Sequence, residues 1–164
     1  MTRIEPIDQR ELSVARNIHA VLLLAHAQEA RLLKVKVFVP MAQTPEDLQR
    51  GNAFFLGALR GEALLACLSL VPDDEPGQIG IGALVVHPDQ QRQGLARRLV
   101  AEALRRCAGQ VISVTTGALN TPALALYRGL GFVEYRRGTL GAEALEVVKL
   151  RRAAPGHPVG ANAL

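Results

Sequence analysis

The chain of 164 residues is long enough for one domain with a real core, and 49% hydrophobic with 21% charged residues is typical of a globular protein. Its apolar runs are too short to span a membrane and no stretch resembles a signal peptide, so we expect a cytoplasmic protein with no membrane partner. Four Phe, two Tyr and no Trp, not interleaved with the basic residues, argue against nucleic acid as the partner.

The net charge of +4 is unevenly distributed along the chain. Residues 1–91 contain eight Lys/Arg and eleven Asp/Glu, whereas residues 92–164 contain eleven and four. One interpretation is that the second half holds a polyanionic ligand while the first half faces something cationic. The other is that the asymmetry has no function, and the sequence leaves both open.

The first half is predicted to begin with a strand and two helices. Thr2 to Pro6 is strand-like, and apolar residues at helical spacing predict a helix over Gln9 to Leu33, capped by Asp8 or Ser13. Lys34 to Met41 interrupts this pattern. Thr44-Pro45-Glu46-Asp47 then starts a short helix, because a cap residue, an early proline and acids favour a helix N-terminus.

Alternating apolar residues next predict strands. Ala53 to Arg60 and Ala63 to Val71 flank Gly61-Glu62 and form a predicted hairpin, and an apolar strand follows over Ile79 to Val86. An acidic turn-rich loop, Pro72 to Gly77, separates them.

The second half alternates helices and strands. Helices are predicted over Gln93 to Cys107 and Pro122 to Gly129, and strands over Gln110 to Thr115, Phe132 to Arg137 and Ala144 to Leu150. We therefore expect an α/β protein, a mixed sheet with helices on both faces, in a single domain over residues 1–152. Residues 153–164, rich in Pro, Gly and Ala, are predicted to be a disordered tail.

Cysteine and histidine spacing indicates no metal site. Cys67 lies in a strand pattern and Cys107 at a helix end, which is typical of buried thiols in a reducing compartment. The four histidines show no metal-ligand spacing; His19 and His26 share a helix face but fit partly exposed helix positions better than a zinc pair.

The most informative stretch is Gln91-Arg92-Gln93-Gly94-Leu95-Ala96, which joins an apolar strand to an amphipathic helix. Glycine lets backbone amides approach a ligand, and the first N–H groups of a helix are unpaired at the positive end of its dipole. Such a turn predicts an anion site suited to phosphate. A Walker P-loop is absent, and Gly80-Ile81-Gly82 matches a dinucleotide fingerprint weakly because Val85 replaces its third glycine.

Two ordered motifs resemble the GNAT acetyltransferase family. The turn above, following Val86-His87-Pro88, resembles its first signature, [QR]-x-x-G-x-[GA]. Asn120-Thr121-Pro122-Ala123, then Tyr127, then Gly131-Phe132, resembles its second, and one helix and one strand separate the two. The resemblance covers roughly Phe54 to Leu150 and implies a mostly antiparallel twisted sheet with a splayed strand pair.

The resemblance also implies acetyl-coenzyme A as co-substrate, with no metal. By analogy with the family, backbone amides of the turn hold the pyrophosphate, basic side chains add charge, and the strand before the turn pairs with the pantetheine arm. The cofactor-binding residues implied are Leu84, Val85, Val86, Gln91, Arg92, Gln93, Gly94, Leu95, Ala96, Arg97, Asn120 and Tyr127.

Tyr127 matches the family position that protonates the departing thiolate, a role open to a phenol that keeps its proton at neutral pH. Packing beside coenzyme A is the alternative. Asn120 either contacts the cofactor or only caps the short helix.

The general base is not evident, because the strand Ile79 to Val86 lacks the Glu that family members often supply. Asp73, Asp74 and Glu75 are nearest in sequence but fit a solvated turn better, and Glu29 is a weaker option. We therefore hypothesise that water relays the proton.

We expect an N-acetyltransferase that transfers acetyl from acetyl-coenzyme A by direct attack of a primary amine in a ternary complex. The acceptor, a small molecule or peptide, is favoured to be cationic by the acidic first half. Alternatives are a non-catalytic acyl-coenzyme A binding or sensing module, a hydroxyl acceptor, or a longer acyl chain. The resemblance also makes a homodimer plausible.

Overall fold

The computed structural model describes residues 1–36 and 43–153. Its seven strands are β1 (Thr2–Ile7), β2 (Phe54–Arg60), β3 (Ala63–Pro72), β4 (Gln78–Val86), β5 (Val111–Gly117), β6 (Val133–Leu140) and β7 (Leu145–Arg152). Its four α-helices are α1 (Leu12–Leu33), α2 (Pro45–Arg50), α3 (Leu95–Arg106) and α4 (Thr121–Gly129). All but the first residue of the predicted tail, 153–164, lies outside the described residues, as does most of the predicted break over Lys34 to Met41.

The strands form one sheet in the order β1-β2-β3-β4-β5-β7-β6. Within the described part of the chain, every neighbouring pair is antiparallel except β4 and β5, which run parallel. This arrangement confirms the expected mixed, mostly antiparallel sheet. The β2–β3 hairpin, closed at Gly61-Glu62, is also confirmed.

Helices cover both faces of the sheet, as expected, and each face has its own apolar core. On one face α1 and α2 pack on the sheet through a cluster of buried residues, Ala15, Ile18, Val21, Leu22, Leu48, Phe55, Cys67 and Val85. On the other face α3 and α4 pack through Leu95, Leu99, Val100, Ala103, Leu124 and Tyr127. Both cysteines are buried and free, as predicted.

The parallel pair is short, and beyond it the sheet splits. Residues Gln78 to Ile81 of β4 pair with Val111 to Val114 of β5, and no pairing between these strands continues after Ile81. At the same point the register of β4 against β3 shifts, so that Gly82 is the extra residue of a β-bulge. The bulge bends β4 away from β5 and opens a gap at the carboxyl ends of the two strands. The splayed strand pair is therefore present.

Two predicted helix starts have different outcomes. The start of α2 is confirmed, since Thr44 and Asp47 form a reciprocal capping box with Pro45 in the first turn. The predicted cap of α1 is wrong: the helix begins after Glu11, with no side-chain cap. The Asp8 carboxylate accepts hydrogen bonds from the backbone and guanidinium of Arg10 instead, which leaves it unavailable to the helix.

Candidate active site

The turn between β4 and α3 has the backbone conformation of an anion-binding loop. After one 3-10 turn at Pro88–Gln90, Arg92 and Gly94 adopt left-handed conformations with φ of 62° and 76°. The first hydrogen bond of α3 runs from the N–H of Arg98 to the carbonyl of Gly94, at 3.0 Å. The amides of Leu95, Ala96 and Arg97 therefore precede the helical ladder and lie at the positive end of its dipole.

Side chains around the turn hold it in place and leave two cations exposed. Gln91 exchanges hydrogen bonds of 2.6 Å and 3.4 Å with Gln28 of α1, so the turn is fixed to the first helix. The Arg98 guanidinium donates to the carbonyl of Thr2. Arg92 and Arg97 are exposed, and no group in the described ranges forms a hydrogen bond or ion pair with either. Their charge is available to a ligand at the turn.

A cavity of about 660 Å³ occupies the split between β4 and β5. Ile81 to Leu84 form one wall and Val114 to Gly117 the other. Helix α1 closes it from one face of the sheet, α4 from the other, and the β6–β7 turn contributes Leu140 to Glu143. Beyond the bulge one edge of β4 still pairs with β3 and the other faces this cavity. Alternate N–H and C=O groups of that edge are therefore open to an extended ligand.

Tyr127 lies at the α4 side of the cavity and is 4% exposed. Its ring packs edge-on against Phe132, with ring centroids 5.4 Å apart. Burial, together with the negative charge of Glu29, raises the pKa of the Tyr127 phenol above its ordinary value. The phenol therefore holds its proton at neutral pH and can donate it to a group that acquires negative charge in the cavity.

The structure separates the sequence-predicted site residues into two adjacent groups. Leu84, Asn120 and Tyr127 line the cavity. The turn residues, Gln91, Arg92, Gln93, Gly94, Leu95, Ala96 and Arg97, lie beyond it at the start of α3, and Val85 and Val86 connect the two regions along β4. Asn120 caps α4 as predicted, accepting a hydrogen bond from the N–H of Ala123 at 3.2 Å.

The acids nearest β4 in sequence are not at the cavity. They lie in the loop before β4, at the end of the parallel pair opposite to the split. The Asp73 carboxylate accepts a 2.8 Å hydrogen bond from Lys149, and Glu75 pairs with Arg136 and Arg151. Asp73 and Glu75 are therefore structural, and Asp73 is largely buried rather than in a solvated turn, whereas Asp74 is exposed.

Three ionisable side chains besides Tyr127 are among the described residues that line the cavity: His26, Glu29 and Glu143. Burial lowers the pKa of His26 to about 4, so its imidazole is neutral at pH 7. Burial raises the pKa of Glu29 above its ordinary value. Glu143 accepts a hydrogen bond from the backbone N–H of Lys36 at 3.1 Å.

The place of Glu29 at the cavity has a signal in the sequence. Leu22, His26, Glu29 and Leu33 recur at spacings of four, three and four, which places all of them on one face of α1. That face is the one turned to the cavity. An acid within an otherwise inward-facing stripe was the signal that could have identified it.

Among the described residues, no cluster of three or more His, Cys, Asp or Glu is placed to bind a metal ion. No described helix combines the length and apolarity needed to cross a membrane.

A comparison with models of protein families identifies the family of this chain. The model of the acetyltransferase (GNAT) family matches residues 23–132. The chain belongs to this family. The match covers both sides of the split, from the second half of α1 to the end of α4.

Relatives and solved structures support the family assignment. The chain is 30% identical over 140 residues to the N-alpha-acetyltransferase RimI of Mycobacterium tuberculosis, which covers 80% of this chain and 89% of that protein. It spans only 37% of the length of another relative, from Bacillus subtilis, with 29% identity over 130 residues.

The ribosomal-protein-S18-alanine N-acetyltransferase from Escherichia coli superimposes with a TM-score of 0.73, at 18% identity, over 98% of both chains. The PaiA N-acetyltransferase from Thermoplasma acidophilum, solved in complex with coenzyme A, superimposes with a TM-score of 0.69, at 12% identity, over 91% of this chain and 98% of that one. At these identities the likeness shows a shared GNAT fold.

Proposed function

We propose that the protein is an N-acetyltransferase that transfers the acetyl group of acetyl-coenzyme A to a primary amine by direct attack in a ternary complex. One observation carries the proposal. The split between β4 and β5 joins an anion-binding helix N-terminus to a cavity that contains a protonated phenol. This arrangement can hold the diphosphate of a coenzyme and direct its thioester towards a proton donor.

The residues of the turn fit the diphosphate of coenzyme A. The unpaired amides of Leu95 to Arg97 and the exposed guanidiniums of Arg92 and Arg97 supply donors and positive charge. A Cβ built on Gly94 meets nothing within 4 Å, so the space beside its backbone is open. The exposed backbone edge of β4 over Leu84 to Val86 then aligns the pantetheine arm as an added strand.

In the reaction, the amine nitrogen attacks the thioester carbonyl and the carbon–sulfur bond breaks. Tyr127, which lines the cavity and holds its proton at neutral pH, gives that proton to the departing thiolate. In this proposal the donor lies along β4 and the turn, and the acceptor occupies the part of the cavity lined by α1. Both can therefore be bound together, as direct attack requires.

The charges in the cavity favour a cationic acceptor. Glu29 and Glu143 line it, His26 is neutral, and neither Lys nor Arg is among the described lining residues. A protonated amine is attracted to such a site, whereas an amine that also carries a carboxylate is repelled. The name of the mycobacterial relative, an N-alpha-acetyltransferase, makes the free N-terminus of a peptide one acceptor to examine.

The test has two measurements on the purified chain. Calorimetric titration with coenzyme A reports donor binding, and thiol release from acetyl-coenzyme A reports transfer to a panel of amines. We expect turnover with a peptide bearing a free N-terminus or with a diamine, and at least tenfold lower kcat/KM with a free amino acid, since its carboxylate is repelled. Binding without turnover on any amine would favour a non-catalytic acyl-coenzyme A sensing module. No binding of coenzyme A would overturn the proposal.

The acyl chain and the acceptor atom are tested in the same assay. Replacing acetyl-coenzyme A by a longer acyl donor, and the amine by the matching alcohol, measures both preferences as ratios of kcat/KM. We expect the acetyl donor and the amine to be preferred.

A further inference from the structure

We infer that Glu29, on helix α1, takes the proton from the acceptor amine. This inference rests on the proposed function and assigns its missing base. The strand that supplies a carboxylate in many family members has none here, since β4 reads Gln-Ile-Gly-Ile-Gly-Ala-Leu-Val-Val over Gln78–Val86. In this chain a carboxylate reaches the cavity from α1, which closes it from one face of the sheet.

The position of Glu29 suits a group that handles protons. Its side chain lines the same cavity as Tyr127, on the α1 side. Its charge acts on the Tyr127 phenol, so the two groups are close enough to interact electrostatically. The proposed base and acid therefore reach one cavity from opposite faces of the sheet, Glu29 from α1 and Tyr127 from α4.

Glu29 is also available. No described residue forms a hydrogen bond or an ion pair with its carboxylate, although it is only partly exposed. Burial destabilises the anionic form of a carboxylate that has no cation beside it, and therefore raises the pKa of Glu29. A structural role would pair this charge, as the fold pairs Asp73 with Lys149. The unpaired state fits a group that meets a cation only when the substrate binds.

The other titratable groups among the described lining residues are His26, Glu143 and Tyr127. His26, one turn earlier on α1, is held neutral with a pKa of about 4, which makes it a weaker proton acceptor. Glu143, from the β6–β7 turn, accepts a hydrogen bond from the backbone of Lys36. Tyr127 is protonated and acts as an acid. Residues 37–42 contain no ionisable side chain in the sequence.

The proton balance is complete without any further reactant. The acceptor arrives as an ammonium ion and gives one proton to Glu29, which returns it to solvent after product release. The free amine attacks the carbonyl carbon, a nitrogen–carbon bond forms, and the carbon–sulfur bond breaks. Tyr127 protonates the thiolate, and the second proton lost by the nitrogen restores the phenol. The products are the acetylated amine, free coenzyme A and one proton.

The experiment compares Glu29→Gln with Glu75→Gln, a matched control in which the altered carboxylate lies outside the cavity. At pH 7 we expect kcat/KM of Glu29→Gln to fall about 10²-fold or more, the usual contribution of a positioned base. The Kd for coenzyme A should not change. The control should retain wild-type kcat/KM, since Glu75 forms ion pairs and accepts a hydrogen bond from Gln78 at the far end of β4.

The pH profile separates a base from a structural residue. In the wild type, kcat/KM should fall with acid at an apparent pKa above the ordinary Glu value of about 4.3, because burial raises the pKa of Glu29. In Glu29→Gln we expect kcat/KM instead to rise about tenfold per pH unit up to the pKa of the acceptor amine. A residue with a merely structural role would lower the rate equally at every pH.

Chemical rescue keeps the inference falsifiable if Glu29→Gln folds poorly. In Glu29→Ala, added formate should restore at least part of the lost rate, since it supplies a carboxylate to the vacated space. The assignment of the base to Glu29 would be overturned if the wild type is active, kcat/KM of Glu29→Gln lies within about threefold of it, and the acidic limb is unchanged. It would also be overturned if formate does not rescue Glu29→Ala. A wild type that turns over no amine would overturn both this inference and the proposed function.

Discussion

Replacing Gly94 by alanine isolates the role of the turn in donor binding. Gly94 is the residue before α3 and has a φ of 76°, in the left-handed region where a Cβ is disfavoured. A Cβ there meets no protein atom within 4 Å, so the cost to the folded protein is the backbone conformation alone, roughly 1–2 kcal/mol. We expect the melting temperature to fall by roughly 2–8 °C for a chain of this size.

The effect on coenzyme A should be larger and of different origin. The added methyl group projects into the open space through which a diphosphate would reach the amides of Leu95 to Arg97. Loss of one charge-assisted hydrogen bond costs about 1.5–3 kcal/mol, which corresponds to a Kd for coenzyme A weaker by about 10- to 150-fold. Calorimetric titration at 25 °C, where the variant remains folded, measures this change.

Gly77→Ala is the matched control. Gly77 lies in the loop before β4, has a φ of 79°, and a Cβ built on it also meets nothing within 4 Å. It should lose about the same stability with an unchanged Kd for coenzyme A. If both variants weaken coenzyme A binding equally, or if neither does, the turn is not the diphosphate site.

Three further changes test other parts of the molecule. Tyr127→Phe keeps the ring that packs against Phe132 but removes the proton donor, so kcat measured by thiol release should fall about 10²-fold at an unchanged Kd for coenzyme A; an unchanged kcat would leave Tyr127 a packing role only. Burial opposes ionisation of Asp73, but the hydrogen bond from Lys149 lowers the pKa of Asp73 below its ordinary value. The pair therefore stabilises the fold at pH values above the ordinary pKa of Asp, and this contribution is lost as the pH falls through the lowered pKa. Asp73→Asn should therefore lower the free energy of unfolding at pH 7 by about 3–5 kcal/mol and flatten its dependence on pH below about 4 in urea titrations, whereas an unchanged acid dependence would contradict this. Thr44→Ala removes one half of the capping box of α2 and should cost about 1 kcal/mol in the same titrations, while Thr44→Ser should cost much less.

Local patterns were enough to predict most of the fold. Apolar spacing, with the N-cap signals of α2, predicted the four helices and seven strands of the described residues to within a few residues. Spacing is informative because most of these elements bury one regular face in one of the two cores. The start of α1 was misplaced since Asp8 meets Arg10 at short range, a competition that capping statistics do not contain. The predicted and observed ends of helices also differ by one or two residues because helix ends fray.

The candidate site was predictable only in part. Gly94 and Asn120 could be predicted from the local sequence, because a left-handed turn and a helix cap favour particular residue types. The position of Glu29 depends on how α1 crosses the split between β4 and β5, which is a matter of tertiary packing. Asp73 and Glu75 were considered as bases because they are close to β4 in the sequence. They precede β4, however, whereas the split begins after Ile81, so they lie at the other end of the parallel pair.

The two cores on opposite faces of the sheet allow its two surfaces to diverge separately. Substitutions beneath α1 and α2 act on a cluster that shares no member with the one beneath α3 and α4. Their effects on stability should therefore be nearly additive. Under the proposed function, substitutions in the α1 layer can change the acceptor preference while the α3 layer, which begins at the turn proposed to hold the diphosphate, stays as it is. One scaffold can then be adapted to many amines.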